Sequence, residues 1–200
     1  MKTCLLTITL FLLFVPVQAQ ETGIDSLYKR AQSEKNLKQK LHLLNESIAY
    51  GWYYGDYDKA IRYGKESVKL AQKYDFDSIA SLMDNNIGIA YDYKGDYPQA
   101  LNHFFKALRI AERIKDKNNE ADILSNIGLI YGNQGLDDKA LQYHKKSLHI
   151  RRTIDYPKGI AVSLNNMAIV FLNQKKFRKA IHYYHESLAI DLKLNDSIGL

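Results

Sequence analysis

The chain has 200 residues, a formal net charge of +6 and a hydrophobic fraction of 46%, and 25% of its residues are charged. These fractions are typical of a folded chain and exclude an intrinsically disordered protein. The single cysteine, Cys4, lies in a segment that we expect to be removed. Its loss excludes disulfides, a thiol nucleophile and cysteine metal ligands from the mature protein.

The first 19 residues have the three regions of a secretory signal peptide. Lys2 gives a positive start, residues 5–15 form an apolar stretch, and Val17-Gln18-Ala19 is a small-residue cleavage site. The apolar stretch is shorter than the about 20 residues that span a bilayer. A retained amphipathic or anchoring segment is the alternative. We predict cleavage near Ala19 and export to the periplasm or the extracellular space, with membrane attachment only if a transmembrane segment follows in a longer chain.

The remainder of the chain repeats every 40 residues. The repeated columns are Gly55, Gly95, Gly135 and Lys175; Ala60, Ala100, Ala140 and Ala180; and Asn86-Ile87-Gly88, Asn126-Ile127-Gly128 and Asn166-Met167-Ala168. A period of this size is typical of a solenoid, in which a unit cannot bury its apolar face alone and must stack on its neighbours. The pattern therefore predicts an all-α solenoid and favours binding over catalysis.

Each unit has the pattern of two helices joined by a tight turn. Leu124, Ile127 and Tyr131 share one face of the first helix, and Gly95-Asp96-Tyr97-Pro98 supplies the stop, the N-cap and the first turn of the second. Glycine inside a helix is unfavourable, so we expect Gly88 and Gly128 to face the paired alanines at a close helix contact. We expect the aromatic residues, including 15 tyrosines, to fill the interior and the space between units.

These units resemble tetratricopeptide repeats, through the small residues at 88, 128 and 168, the aromatic residues at 91, 131 and 171, and the alanine column. The resemblance implies a right-handed superhelix of helix-turn-helix units. The long period is similar to the repeats of kinesin light chains and of bacterial peptide-sensing regulators. The first unit departs from the pattern, because Ile48 and Gly51 stand where later units have a small residue and then an aromatic one.

The predicted organisation follows the period. It comprises a signal peptide (1–19), an N-terminal capping helix region (20–38), a divergent repeat (39–78), three further repeats (79–118, 119–158 and 159–198) and the start of another (199–200). The last residues align with the beginning of a unit, with no polar cap after them. We therefore expect the N-terminal part of a longer protein, with a short standalone protein as the alternative.

Three asparagines in register, Asn86, Asn126 and Asn166, mark the candidate binding surface. A primary amide carries a donor and an acceptor, so each can pair with the backbone of an extended peptide. The family resemblance implies that these three residues hold ligand backbone in the concave groove. The preceding residues, Asn85, Ser125 and Asn165, are expected to line the same groove. The alternative is that the amides bond to neighbouring helices and are structural.

No catalytic constellation and no cofactor motif is present in the sequence. His182, His185 and Glu186 lie within one turn, but they lack a further ligand, and we predict no metal site. Basic clusters occur at Lys145-Lys146, Arg151-Arg152 and residues 175–179. On exported helices we expect them to be a solvated face and not a nucleic-acid site.

The sequence thus predicts a noncatalytic scaffold whose concave groove binds a peptide or a segment of a partner protein. The alternative function is the extracytoplasmic sensor region of a bacterial histidine kinase or transcriptional regulator, which the combination of a signal peptide and long-period repeats resembles. In that case the visible chain is still not an enzyme, although the parent protein is one if it is a kinase.

Overall fold

The computed structural model of the chain describes residues 23–198, with side chains as far as residue 194. All regular structure in this range is helical, which confirms the all-α prediction for the described residues. The helices are α1 (Ile24–Ser33), α2 (Leu37–Tyr54), α3 (Tyr57–Lys73), α4 (Asp77–Tyr93), α5 (Tyr97–Ile114), α6 (Lys117–Asn133), α7 (Asp137–Thr153), α8 (Pro157–Asn173) and α9 (Phe177–Ile198). The predicted signal peptide and residues 199–200 lie outside the described residues.

Helices α2 to α9 form four helix pairs, one pair for each predicted repeat. We call the first helix of each pair the A helix (α2, α4, α6, α8) and the second the B helix (α3, α5, α7, α9). The A helices begin at residues 37, 77, 117 and 157, two residues before the predicted unit boundaries. Helix α1 lies within the predicted capping segment and packs against α2 and α3, with Ala31 fully buried.

The A helices form the inner side of the stack. The backbones of consecutive A helices approach within 8 Å of each other, measured between Cα atoms, whereas the backbones of consecutive B helices among the described residues do not. Units that are closer together on the A side than on the B side curve toward the A side. The surface of the A helices is therefore the concave face of the solenoid.

The turns within the units depend on a left-handed residue at a fixed place. Gly55, Gly95 and Gly135 have φ angles of 90°, 75° and 71°, and Lys175 takes the same place with φ 58°. Glycine adopts this conformation without steric cost, which explains the glycine column. After Gly95, the Asp96 side chain accepts a hydrogen bond from the backbone N–H of Gln99, as an N-cap should.

A small residue on the A helix packs against a ring on the B helix of the same unit. A Cβ atom at Gly88 would lie 2.6 Å from the Phe104 ring, and one at Gly128 would lie 2.6 Å from the His144 ring. Such distances are too short for a carbon contact, so any larger residue at these positions would have to displace the ring. The expectation that these glycines face the alanine column is therefore wrong, because the rings four residues further on occupy that space.

The first unit, which looked divergent, keeps this packing with the sizes reversed. Ile48 stands in the column of Gly88, and Gly64 of α3 stands in the column of Phe104. A Cβ atom at Gly64 would lie 3.5 Å from Cδ1 of Ile48 and 2.5 Å from Cγ1 of Ile87 in the next unit. The large side chain has moved from the B helix to the A helix, and the interior remains filled.

Aromatic pairs join the two helices of each later unit. Tyr91 stacks on His103 at 5.5 Å between ring centroids, Tyr131 on Tyr143 at 5.4 Å, and Phe171 on Tyr183 at 5.3 Å. Tyr91 and Tyr131 also pack against the buried clusters of two neighbouring units, as expected. Not every tyrosine is interior, because the side chains of Tyr53, Tyr54 and Tyr93 are well exposed.

Arg151 corrects the expectation that the basic clusters are all solvated. It occupies the column of Ala71 and Ala111, and only 4% of its surface is exposed. Its Nη2 donates to Oδ1 of Asp122 at 2.6 Å, and its Nη1 donates to the carbonyl oxygen of Gly159 at 3.0 Å. The neighbouring Arg152 is exposed, as predicted.

His144 is a buried titratable group at the same helix contact. It is 1% exposed, and its Nδ1 has no hydrogen-bond partner. Burial, and to a smaller extent the charge of Arg151, lower the pKa of His144 to about 4. The imidazole is therefore neutral at pH 7.

Among the residues that the structure describes, no helix combines the length and the apolar character that crossing a membrane requires.

We expect Gly128→Ala to destabilise the protein by about 1–3 kcal/mol, because the new methyl group must displace the His144 ring. Gly132→Ala on the same helix is the control. Its Cβ would meet Ala140 at an ordinary 3.8 Å, so the gain in helix propensity stabilises by up to about 1 kcal/mol. Thermal unfolding followed by circular dichroism measures both variants. Equal midpoints would contradict the proposed role of the glycine.

We expect the free energy of unfolding to fall as the pH decreases from 6.5 to about 4. In this window the unfolded chain binds a proton at residue 144 and the folded chain does not, which removes about 1.4 kcal/mol per pH unit. Above this window His144 has no effect on the pH dependence. The matched variant is His144→Phe, since Phe104 fills the equivalent place. Urea unfolding at several pH values should show a shallower dependence for the variant, and an unchanged slope would contradict the assignment.

Candidate functional site

The concave face carries a column of amides, one on each of three consecutive A helices. Asn86 lies on α4, Asn126 on α6 and Asn166 on α8, and each side chain is partly buried. The stacking of the A helices brings the three predicted residues into one row. In α2 the same column holds Glu46, whose side chain is exposed.

The amides are joined to the neighbouring units by hydrogen bonds of one type. Each Nδ2 donates to the residue 41 positions earlier in the chain, which lies on the preceding A helix. The bonds run from Asn86 to Oδ1 of Asn45, from Asn126 to Oδ1 of Asn85 and from Asn166 to Oγ of Ser125, each at 3.0 Å. We call this row of bonds the amide ladder. It holds the A helices in register and fixes the orientation of each amide.

The ladder uses only part of the hydrogen-bonding capacity of each asparagine. One Nδ2 hydrogen is engaged, which leaves a second hydrogen and the carbonyl oxygen. Asn86 is the more saturated member, because its Oδ1 accepts a hydrogen bond from Nε1 of Trp52 at 3.2 Å. Within the described residues, Oδ1 of Asn126 and of Asn166 accepts no hydrogen bond. These two amides retain both a donor and an acceptor.

The residues that precede the amides occupy different surroundings. Asn85 and Ser125 are 9% and 5% exposed and accept hydrogen bonds of the amide ladder. Asn165, in the fourth unit, is exposed. Asn85 and Ser125 therefore support the neighbouring amides from inside the stack.

An apolar column runs beside the amides and was not identified from the sequence. An apolar residue follows each asparagine by three positions, about one helical turn further along the same face; these residues are Ile89, Leu129 and Ile169. Leu129 and Ile169 are more than one third exposed. The sequence does show an apolar residue three positions after each asparagine. Whether these apolar side chains are exposed depends on which side of the A helices forms the concave face, and the sequence alone does not give this.

Asp92 adds a partly buried carboxyl group between α4 and α6. Burial raises the pKa of Asp92, and a hydrogen bond with Asn133 acts in the opposite direction. The carboxyl group thus faces the A helix of the next unit and has no basic partner there.

In the described part of the chain, no group of three or more histidine, cysteine, aspartate or glutamate residues is placed to hold a metal ion. His182 and Glu186 form a surface pair along one helix, with 3.2 Å between Nε2 and Oε1.

Comparisons with known families identify the repeats. Two family models, both described as tetratricopeptide repeat, match residues 78–153 and residues 160–190. Together they take in more than half of the chain. No curated protein of similar sequence was found.

Solved structures of several proteins have the same fold. A Rap protein complexed with Competence and Sporulation Factor superposes with a TM-score of 0.77 at 17% identity, over 87% of this chain and 50% of that one. A signal transduction ATPase with numerous domains and a tetratricopeptide repeat sensor, from Pyrococcus horikoshii, gives 0.72 at 21% identity, over 86% and 27%. A putative kinesin light chain from Podosopora anserina gives 0.62 at 12% identity, over 86% and 85%.

At these identities the similarity shows the fold alone. The chain spans half or less of the length of the first two proteins.

Proposed function

This chain belongs to the tetratricopeptide repeat family, and we propose that it is a noncatalytic scaffold whose concave face binds an extended segment of a peptide or partner protein. The observation that carries the proposal is the amide ladder, because it orients a row of primary amides whose hydrogen-bonding capacity is only partly used.

The chemistry of an extended backbone matches this row. Each peptide unit offers one N–H and one C=O, and Asn126 and Asn166 each retain one acceptor oxygen and one donor hydrogen. The apolar column supplies contacts for side chains on one side of the bound segment, as in other modes of recognition that read the backbone and alternate side chains. A ligand bound in this way is held mainly through its main chain, and the variable groove residues set its specificity.

The six predicted site residues take three roles in this proposal. Asn86, Asn126 and Asn166 contact the ligand, and of these Asn86 contributes least because Trp52 occupies its oxygen. Asn85 and Ser125 orient the amides that follow them in the stack. Asn165 is exposed and extends the polar surface at the last unit. The Rap protein of the same fold, which is complexed with Competence and Sporulation Factor, supports ligand binding by an array of this kind.

We expect Asn126→Ala to weaken the binding of peptides selected from a phage-displayed random dodecapeptide library by about tenfold, because the variant loses one or two hydrogen bonds to the ligand backbone. The same change lowers stability by about 1 kcal/mol through loss of the bond to Asn85. Isothermal titration calorimetry gives the affinity and thermal unfolding gives the stability.

Ser147→Ala is the matched control for this experiment. It removes a buried hydrogen bond from Ser147 to the carbonyl oxygen of Ala121, together with a longer contact of 3.4 Å to Oγ of Ser163, and leaves the amide ladder intact. We expect similar destabilisation and unchanged affinity. Equal affinities for the wild type and Asn126→Ala would contradict backbone capture, and so would the failure of the library to yield any peptide that binds.

We further propose that the array is exported and acts as the extracytoplasmic input region of a signalling protein. The three regions of the N-terminal segment support export, and a solved protein with a tetratricopeptide repeat sensor supports the use of this fold as a sensor. In this role, peptide binding on the concave face is the input signal.

The export proposal predicts that residues 1–25 carry fused alkaline phosphatase, which requires disulfides, into the bacterial periplasm in active form. N-terminal sequencing of the product should begin near Gln20. The control is Leu12→Asp, which interrupts the apolar stretch and should abolish the activity. An uncleaved product or equal activity of the two fusions would contradict a cleavable signal peptide.

A further inference from the structure

An open pocket of about 360 Å³ lies on the surface of α1 and α2. Its lining includes Leu27 of α1 and five side chains of α2: Glu46, Tyr50, Trp52, Tyr53 and Tyr54. Glu46 and Ala49, which also lines the cavity, lie 40 residues before Asn86 and Ile89. The cavity is therefore the first position of the amide column and of the apolar column. We call it the aromatic pocket.

Four aromatic side chains form most of the wall of the aromatic pocket, and their rings are set at different angles. The ring centroids of Tyr50 and Tyr54 are 4.2 Å apart. Those of Tyr53 and Tyr54 are 5.0 Å apart, with an angle of 78° between the ring planes. Tyr53 and Tyr54 are 70% and 64% exposed. Exposed rings gathered in this way commonly mark a binding site. Ring faces carry partial negative charge and attract cations that lie over them.

The only carboxylate of the pocket adds a full negative charge. Glu46 forms no hydrogen bond or ion pair with the described residues, and no basic side chain lines the cavity. The lining surface is almost entirely apolar, so the carboxylate of the exposed Glu46 lies at the edge of the pocket, where it repels an acidic occupant and attracts a basic one. A side chain that combines an apolar stem with a cationic head gains from both the aromatic wall and the carboxylate.

The pocket is physically joined to the amide ladder. Trp52 lines the cavity and donates its indole N–H to Oδ1 of Asn86. The same Asn86 donates to Asn45 on α2, the helix that carries the pocket. A bound peptide that runs along Asn166 and then Asn126 next reaches Asn86, whose oxygen is already bonded to Trp52. Beyond Asn86 it reaches the aromatic pocket.

We propose that the aromatic pocket binds the arginine side chain of a peptide that lies on the concave face. A planar guanidinium stacks on tyrosine faces and pairs with a carboxylate, and this geometry favours arginine over lysine. The proposal rests on the proposed function for the orientation of the peptide, but the pocket can be tested without the groove. The aromatic pocket then selects a basic side chain at one end of the peptide, while the amide ladder binds the peptide backbone.

Trp52 is the only tryptophan of the chain, so its fluorescence reports on the pocket directly. The probe is N-acetyl-arginine methylamide, which is too short to use the ladder, and N-acetyl-citrulline methylamide is its neutral isostere. We expect a saturable change in fluorescence with the arginine probe and affinity about tenfold weaker for citrulline. The lysine analogue should bind between the two. Equal binding of arginine and citrulline would overturn the proposal.

Variants assign the binding to the pocket. Glu46→Gln and Tyr53→Leu should each weaken the arginine probe about five- to tenfold. The matched controls are Glu112→Gln on α5 and Tyr74→Leu in the turn after α3, which change exposed side chains away from the pocket and should leave the affinity unchanged. Because Glu46 and Tyr53 are exposed, we expect all four variants to fold, which circular dichroism verifies. An unchanged affinity of Glu46→Gln would overturn the proposal.

The two proposals fail separately. If library peptides depend on Asn126 but show no preference for arginine and no dependence on Glu46, the pocket proposal is wrong and groove binding stands. If the arginine probe depends on Glu46 while no selected peptide depends on Asn126, the pocket stands and backbone capture is wrong.

Discussion

The packing of a small residue on one helix against a large side chain on the other sets the distance between the two helices in each of the first three units. Gly88 with Phe104 and Gly128 with His144 show the arrangement, and Ile48 with Gly64 shows the same arrangement reversed. Close-packed interiors tolerate such an exchange when the total volume is kept. Once this distance is fixed, the short turns place the next unit, and the A helices lie close enough to form a continuous concave face.

The amide ladder depends directly on that close approach, and in the proposed function it links stability to binding. Its hydrogen bonds cross from one A helix to the next, so they form only when the units are stacked in register. The same bonds hold each amide in a single orientation, which lowers the entropic cost of binding a ligand. The structural interpretation and the proposed ligand-binding interpretation of the asparagines are thus compatible, because the stack uses one hydrogen of each amide, and the oxygens of Asn126 and Asn166 accept no hydrogen bond from the described residues.

Individual positions of the array depart from the repeat pattern, and the residues found there are charged or titratable. Glu46 replaces an amide at the first position of the column, among exposed tyrosines. Arg151 replaces an alanine between the third and fourth units, where the absence of a side chain at Gly159 leaves room for it. His144 replaces a phenylalanine and stays neutral because it is buried. In a repeat protein each such replacement affects mainly its own junction, since a unit contacts only its neighbours.

The sequence by itself determined the period, the helix pairs, the glycine turns and the row of asparagines, because these depend on local rules: helical spacing, left-handed turn residues and register along the chain. It did not determine what each helix face meets. Whether Gly88 faces an alanine or the Phe104 ring, whether Arg151 lies in water or inside, and whether Tyr53 packs or is exposed all depend on the stacking of units. The partners of Asn126 and the isolation of Glu46 likewise depend on side chains about 40 residues away or on another helix, and only the tertiary structure brings these together.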